Sequence, residues 1–86
     1  MTWEEVRQHY PNQWLLIEAI KTHNIKNEHF IDDMAVINTF SEPIIAMDEY
    51  SKLHKKSPGR EFYVFHTSRE KLDIDVRKWL GIRSVG

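Results

Sequence analysis

Apolar and polar positions along the chain divide it into short alternating segments. Thr2-Trp3-Glu4-Glu5 fits a capping box, with Thr2 as N-cap and Glu5 as the third helical residue. A short helix over about 3–9 is predicted, closed by Tyr10-Pro11-Asn12, because the residue before proline is biased away from helix. Residues 13–21 are short, apolar and bounded by turn residues, which predicts a buried strand. Leu15, Ile17 and Ala19 point one way, and Trp14, Leu16 and Ile20 the other with Glu18 among them, so both faces are largely apolar. Residues 22–28 are polar with two asparagines and predict a hairpin loop, followed by a second strand over about 30–39.

A helix over 42–56 is predicted next, with Ser41 as N-cap and Glu42 and Pro43 in the first turn. Ile44, Met47, Tyr50 and Leu53, with Ile45 beside them, form its apolar stripe. Lys52, Lys55 and Lys56 crowd its last turn, where cations meet the negative helix end, and Ser57-Pro58-Gly59 stops it. Glu61 to His66 is the clearest strand, with aromatic and β-branched residues on both faces. Leu72, Val76, Trp79 and Leu80 have helical spacing with Gly81 as cap, whereas Leu72, Ile74 and Val76 also alternate as in a strand. The spacing favours helix, and a C-terminal segment that is helical or extended remains open.

These elements predict one small α+β domain over 1–86, with a core over about 10–66 and an extension over 67–86. Its sheet is three-stranded, mainly antiparallel, in order 2-1-3. The doubly apolar strand 13–21 takes the middle, and the helix 42–56 covers one face. The other face is left to residues 3–9, to residues 72–82 or to a second chain.

Composition narrows the function. The 86 residues hold no cysteine, which excludes a disulfide scaffold and cysteine-ligated metal. No apolar run reaches ~20 residues, so no membrane span is expected. The opening Met1-Thr2-Trp3-Glu4-Glu5 lacks the basic-then-apolar signature of a signal peptide. A cytoplasmic protein is the expectation. The net charge of −1 conceals an asymmetry, since residues 1–43 carry seven acids against three bases and residues 44–86 six acids against nine bases. Such a chain has no general affinity for nucleic acid, which needs a net basic face.

Candidate chemistry is sparse. His23, His29, Asp32 and Asp33 gather around the hairpin loop, and imidazole with carboxylate is a legitimate ligand set. Their spacing matches no catalytic zinc motif, so a polar hairpin tip is expected. Glu49 and Lys52 lie three apart on a helix and pair on its surface, and Asp73 and Asp75 suit a helix start. Arg60 and His66 have an arginine-to-histidine spacing found in some helical ribonucleases, but an aromatic strand separates them here. The three glycines, at 59, 81 and 86, form no phosphate loop. No enzyme, metal or cofactor is therefore expected.

An alternative reading uses Phe62, Tyr63 and Phe65, flanked by Arg60, His66 and Arg69, as a platform for stacking single-stranded nucleic acid. The preferred reading is a protein-interaction or accessory module, because tryptophan and tyrosine are enriched in binding hot spots. Its candidate surface is Trp14, Tyr63, Phe65, Leu72, Val76, Trp79, Leu80 and Ile82. An uncovered sheet face is most commonly closed by a two-fold homodimer, so self-association is expected, with Trp79 in the interface or beneath it.

The run Tyr10-Pro11-Asn12-Gln13-Trp14-Leu15-Leu16-Ile17-Glu18 resembles small uncharacterised bacterial domains that open with a Tyr-Pro-x-x-Trp-Val-x-Ile strand. Those domains continue as hairpin, helix and aliphatic strand, and some are encoded beside retropepsin-like aspartic protease genes. The resemblance covers about 10–66 and implies a small accessory or partner role, with no catalytic residues to carry over. It departs from the pattern where those domains often have a shorter hairpin with a glycine: residues 22–29 hold none, and 67–86 are additional.

Overall fold

A computed structural model describes residues 1–72 and the backbone of 74–75. Helix α1 (Trp3–His9) starts on the expected capping box: the Glu5 amide donates to Thr2 Oγ1 (3.3 Å) and the Thr2 amide to Glu5 Oε1 (3.0 Å). Strand β1 (Trp14–Ile25) and strand β2 (Glu28–Phe40) form a long antiparallel hairpin. Helix α2 (Pro43–Lys56) follows, then strand β3 (Phe62–His66) and the two-residue strand β4 (Ile74–Asp75). Sheet order is β3-β1-β2-β4. The three main strands thus stand in the expected order 2-1-3, all antiparallel to their neighbours, and β4 adds to the outer edge of β2 at Glu28 and His29. Among the described residues no helix is long and apolar enough to cross a membrane.

Three expectations need correction. Residues 22–25 and 28–29 are strand, and the loop is only Lys26-Asn27, with Lys26 at φ 56°. A two-residue hairpin loop calls for positive φ, and the polar flanks are held by cross-strand pairs such as His23 stacked on Phe30 at 5.0 Å. The N-cap of α2 is Glu42, without a side-chain cap bond, rather than Ser41; Pro43 supplies the preset φ of the first turn. Ile74 and Asp75 are strand, where helix was favoured for 72–82; the remainder of that segment lies outside the described residues.

Around β3 and the first half of β1 both faces of the sheet are covered in cis, while the far half of the hairpin stands open. Leu15 and Ile17 of β1, Tyr63 and Phe65 of β3 and Met34 of β2 pack with Trp3 and Val6 of α1 into the main core, with Leu72 at its margin. Strand alternation turns Leu16 and Phe62 to the opposite side, where Ala46 of α2 is also buried. The segment after β3 ties α1 down. Trp3 Nε1 donates to the Arg69 carbonyl (2.7 Å), and Arg7 Nε donates to that of Thr67 (2.9 Å). Thr67 is buried and accepts from the Gln13 amide at Oγ1 (2.9 Å). Met1 bridges to β2 through paired backbone bonds with Met34, and its ammonium meets Asp33. The sheet face on which a homodimer was expected is therefore occupied by the chain's own first helix.

Candidate functional site

Register decides where each candidate residue lies. Tyr63 and Phe65 stand opposite Ile17 and Leu15 and are 8% and 3% exposed, so both belong to the core and neither is offered to a partner. Phe62 is equally buried on the other face. All three aromatic side chains of the single-stranded nucleic-acid alternative, Phe62, Tyr63 and Phe65, are thus buried. Trp14 is half-buried, edge-on to His66 at 5.0 Å, and Leu72 is half-buried against the core. Val76, Trp79, Leu80 and Ile82 lie outside the described residues.

The hairpin-tip cluster is taken apart by the same register. His23 Nδ1 lies 2.6 Å from Asp32 Oδ2, while Asp33 holds the Met1 ammonium, which keeps its carboxyl below the usual carboxylate range. His29 turns elsewhere. Its Nδ1 meets Asn24 Oδ1 across the hairpin, and its Nε2 lies 2.6 Å from Glu61 Oε2, which also accepts from the Tyr63 hydroxyl (2.6 Å). Both ring nitrogens thus face side-chain oxygens. This chain acts as a clip between the hairpin and the start of β3. Among the described residues no three His, Asp or Glu side chains converge as a metal-ligand group.

A second ion pair closes the other side of that junction. Arg60 donates to Glu18 through Nε (2.8 Å) and Nη2 (2.6 Å), with its guanidinium 5.0 Å from the Phe62 ring centroid. The guanidinium's hydrogen bonds hold the Glu18 carboxyl below its ordinary value against the opposing effect of burial. A carboxyl lowered by folding stabilises the fold above its unfolded pKa and loses that contribution as pH falls through the folded value. Glu18→Gln should therefore lower the urea midpoint near pH 7, and the difference from wild type should shrink by about pH 3, below the roughly 4.3 of a free glutamate. Urea titrations at the two pH values check this; a difference that persists in acid would contradict it.

Arg60 and Glu61 also border a cleft of about 170 Å³ between the end of α2 and residues 58–63, lined further by Tyr50, His54 and Phe62. Its charged walls are committed, Arg60 to Glu18 and Glu61 to His29 and Tyr63. The volume falls below the ~300–1,000 Å³ usual for small-molecule sites. Arg60 and His66 flank opposite ends of β3, and His66 Nδ1 lies 2.8 Å from Ser68 Oγ. Glu49 joins Asp48 in pairing with Lys52 on the surface of α2. The backbone of Asp75 is in β4, whereas Asp73 lies outside the described residues.

What stands open is apolar. Ile44 is 80% exposed, Ile45 49% and Met47 48%, all in the first turns of α2. Ile20 and Ile37 are exposed at irregularities of the hairpin, where the register skips each of them. Of the expected stripe, Ile44 and Met47 are thus exposed, whereas Tyr50 and Leu53 lie half-buried on the docking face. The helix docks through Ala46, with Tyr50, Leu53 and His54 half-buried around it. Ala46, Tyr50 and Leu53 also have helical spacing, and the small alanine lets the helix approach the sheet closely. That alternative stripe was the available signal, and the mere abundance of isoleucine masked it.

No protein-family model, curated protein or solved structure matches this chain.

Proposed function

We propose that this chain is a small non-catalytic interaction module, acting in the cytoplasm as an accessory to another protein or to itself. One observation carries the reading: the first turns of α2 leave three large apolar side chains in water, although the helix itself is docked on the sheet through Ala46. Leaving such a side chain exposed forgoes ~1.5–3 kcal/mol of burial, a strong incentive to associate. Large apolar side chains gathered in one exposed turn are a mark of interaction sites. The committed charges around Arg60, Glu61 and His29 support the non-catalytic part. The resemblance of residues 10–66 to small uncharacterised bacterial domains, which implies an accessory or partner role, accords with it.

A photo-crosslinking residue at position 44, compared with one at exposed Lys21, tests the proposal in cells. Adducts from position 44 and few from position 21 are expected. Equal yields at the two positions, or none from position 44, would overturn it.

A further inference from the structure

We infer that the outer edge of β3, with the flank of α2 beside it, receives the C-terminal tail of another protein. The tail adds to the sheet as an extended strand, and its terminal carboxylate enters the cleft between α2 and residues 58–63. This goes beyond the interaction reading above, which uses the other end of α2, and stands independently of it.

Register fixes what the edge offers. The Ala19 amide donates to the Glu61 carbonyl (2.9 Å) and the Thr67 amide to that of Gln13 (3.0 Å), so Tyr63 and Phe65 between them turn their backbone groups to β1. Those of Phe62, Val64 and His66 point away from the sheet. Among the described residues, the His66 carbonyl alone of these groups has a partner, the Arg69 amide (3.1 Å). The opposite edge is treated differently. Met1 closes it at Met34, β4 closes it at Glu28 and His29, and the pairing of β2 is irregular. β3 has no proline, lysine, acid or irregularity. An edge left regular and unblocked is a template for a further strand.

The cleft selects the occupant. Tyr50 and His54, stacked at 5.8 Å, line it from α2, and Met47 continues their flank at helical spacing, 48% exposed. Among the described residues the Tyr50 hydroxyl and the His54 ring make no hydrogen bond, and Arg60 spends only Nε and Nη2 on Glu18. Lys55 and Lys56 follow His54, exposed and without an acidic partner among the described residues. Glu61 is the one acid on the lining, and its carboxylate already meets His29 and the Tyr63 hydroxyl. This end of the groove is therefore a place for a carboxylate. A volume of about 170 Å³ suits a chain end better than a free small molecule.

The cationic end lies where β3 begins, so a chain that ends there runs antiparallel to β3. Its last and third-last residues stand opposite Phe62 and Val64 and turn their side chains to the α2 side, where Phe62 and Met47 favour apolar partners.

A peptide ending Thr-Val-Thr-Val with a free carboxylate, and the same peptide amidated, are titrated into the isotope-labelled chain. Amide shifts are expected at Phe62, Val64 and His66 and from Tyr50 to His54. The amidated peptide should bind about tenfold more weakly, and so should the free acid to Tyr50→Phe, each having lost one hydrogen bond involving an ionised group. An unchanged far-UV circular dichroism spectrum shows that the variant folds. Equal binding of the acid and amide forms to the unmodified chain, shifts confined to other residues, or no shift at millimolar peptide would overturn the proposal.

Discussion

Replacing Trp3 by alanine should destabilise the fold by about 3–5 kcal/mol, the range for removing a buried aromatic. At ~0.05–0.15 kcal/mol per residue the whole domain has roughly 4–13 kcal/mol to lose, so this one substitution removes a large share of its stability. Three physical losses combine. Trp3 is 9% exposed and fills the space between α1 and the sheet. Its ring meets Phe65 edge-on at 5.9 Å. Its Nε1 donates to the Arg69 carbonyl and so anchors the segment after β3. Trp3→Phe keeps the apolar filling and loses the donor, which should cost about 1 kcal/mol for the bond together with a smaller packing loss. Urea denaturation followed by far-UV circular dichroism measures both. A cost below about 1 kcal/mol for Trp3→Ala would mean that α1 is not the cover of this sheet face, since surface changes stay near half a kcal/mol.

Ile17→Ala should cost about 4 kcal/mol, while Ile44→Ala leaves the stability of the monomer within about half a kcal/mol. The two substitutions remove the same atoms. Ile17 is fully buried on the central strand, between Val36 of β2 and Tyr63 of β3, and a truncation there leaves a cavity that its neighbours cannot fill. Ile44 is 80% exposed, so its truncation removes almost no intramolecular contact. The difference in urea midpoint between the variants, measured on dilute protein, tests the division of isoleucines into those that hold the fold and those that face outward. Comparable losses would contradict it.

The sheet order was legible because burial on both faces is written locally. Leu15, Leu16 and Ile17 are consecutive, and three adjacent buried side chains need a strand covered on both faces, the usual setting of a middle strand. The first helix was legible for a similar reason, since Thr2 and Glu5 carry their capping chemistry within four residues. The hairpin tip was not legible, because Thr22, His23 and Asn24 become strand only through their partners Ile31, Phe30 and His29. Cross-strand pairing is a property of two segments, and a turn centred on Lys26-Asn27 would have been needed to bring those residues together. The clip from His29 to Glu61 spans 32 positions, and no local spacing records it. The face of α2 failed differently. Two apolar stripes overlap at Tyr50 and Leu53, and the one that continues through the small Ala46 docks because it allows close approach, which leaves Ile44 and Met47 outside.

The chain closes the core half of its own sheet, and on the proposed function association runs through the outward face of α2. Backbone amide chemical shifts followed while the protein is concentrated from low micromolar to near-millimolar test it residue by residue. Shifts should move along α2, centred on residues 44–55, with those of β3 and α1 unchanged. Movement centred on β3 or α1, or no movement anywhere, would contradict the account.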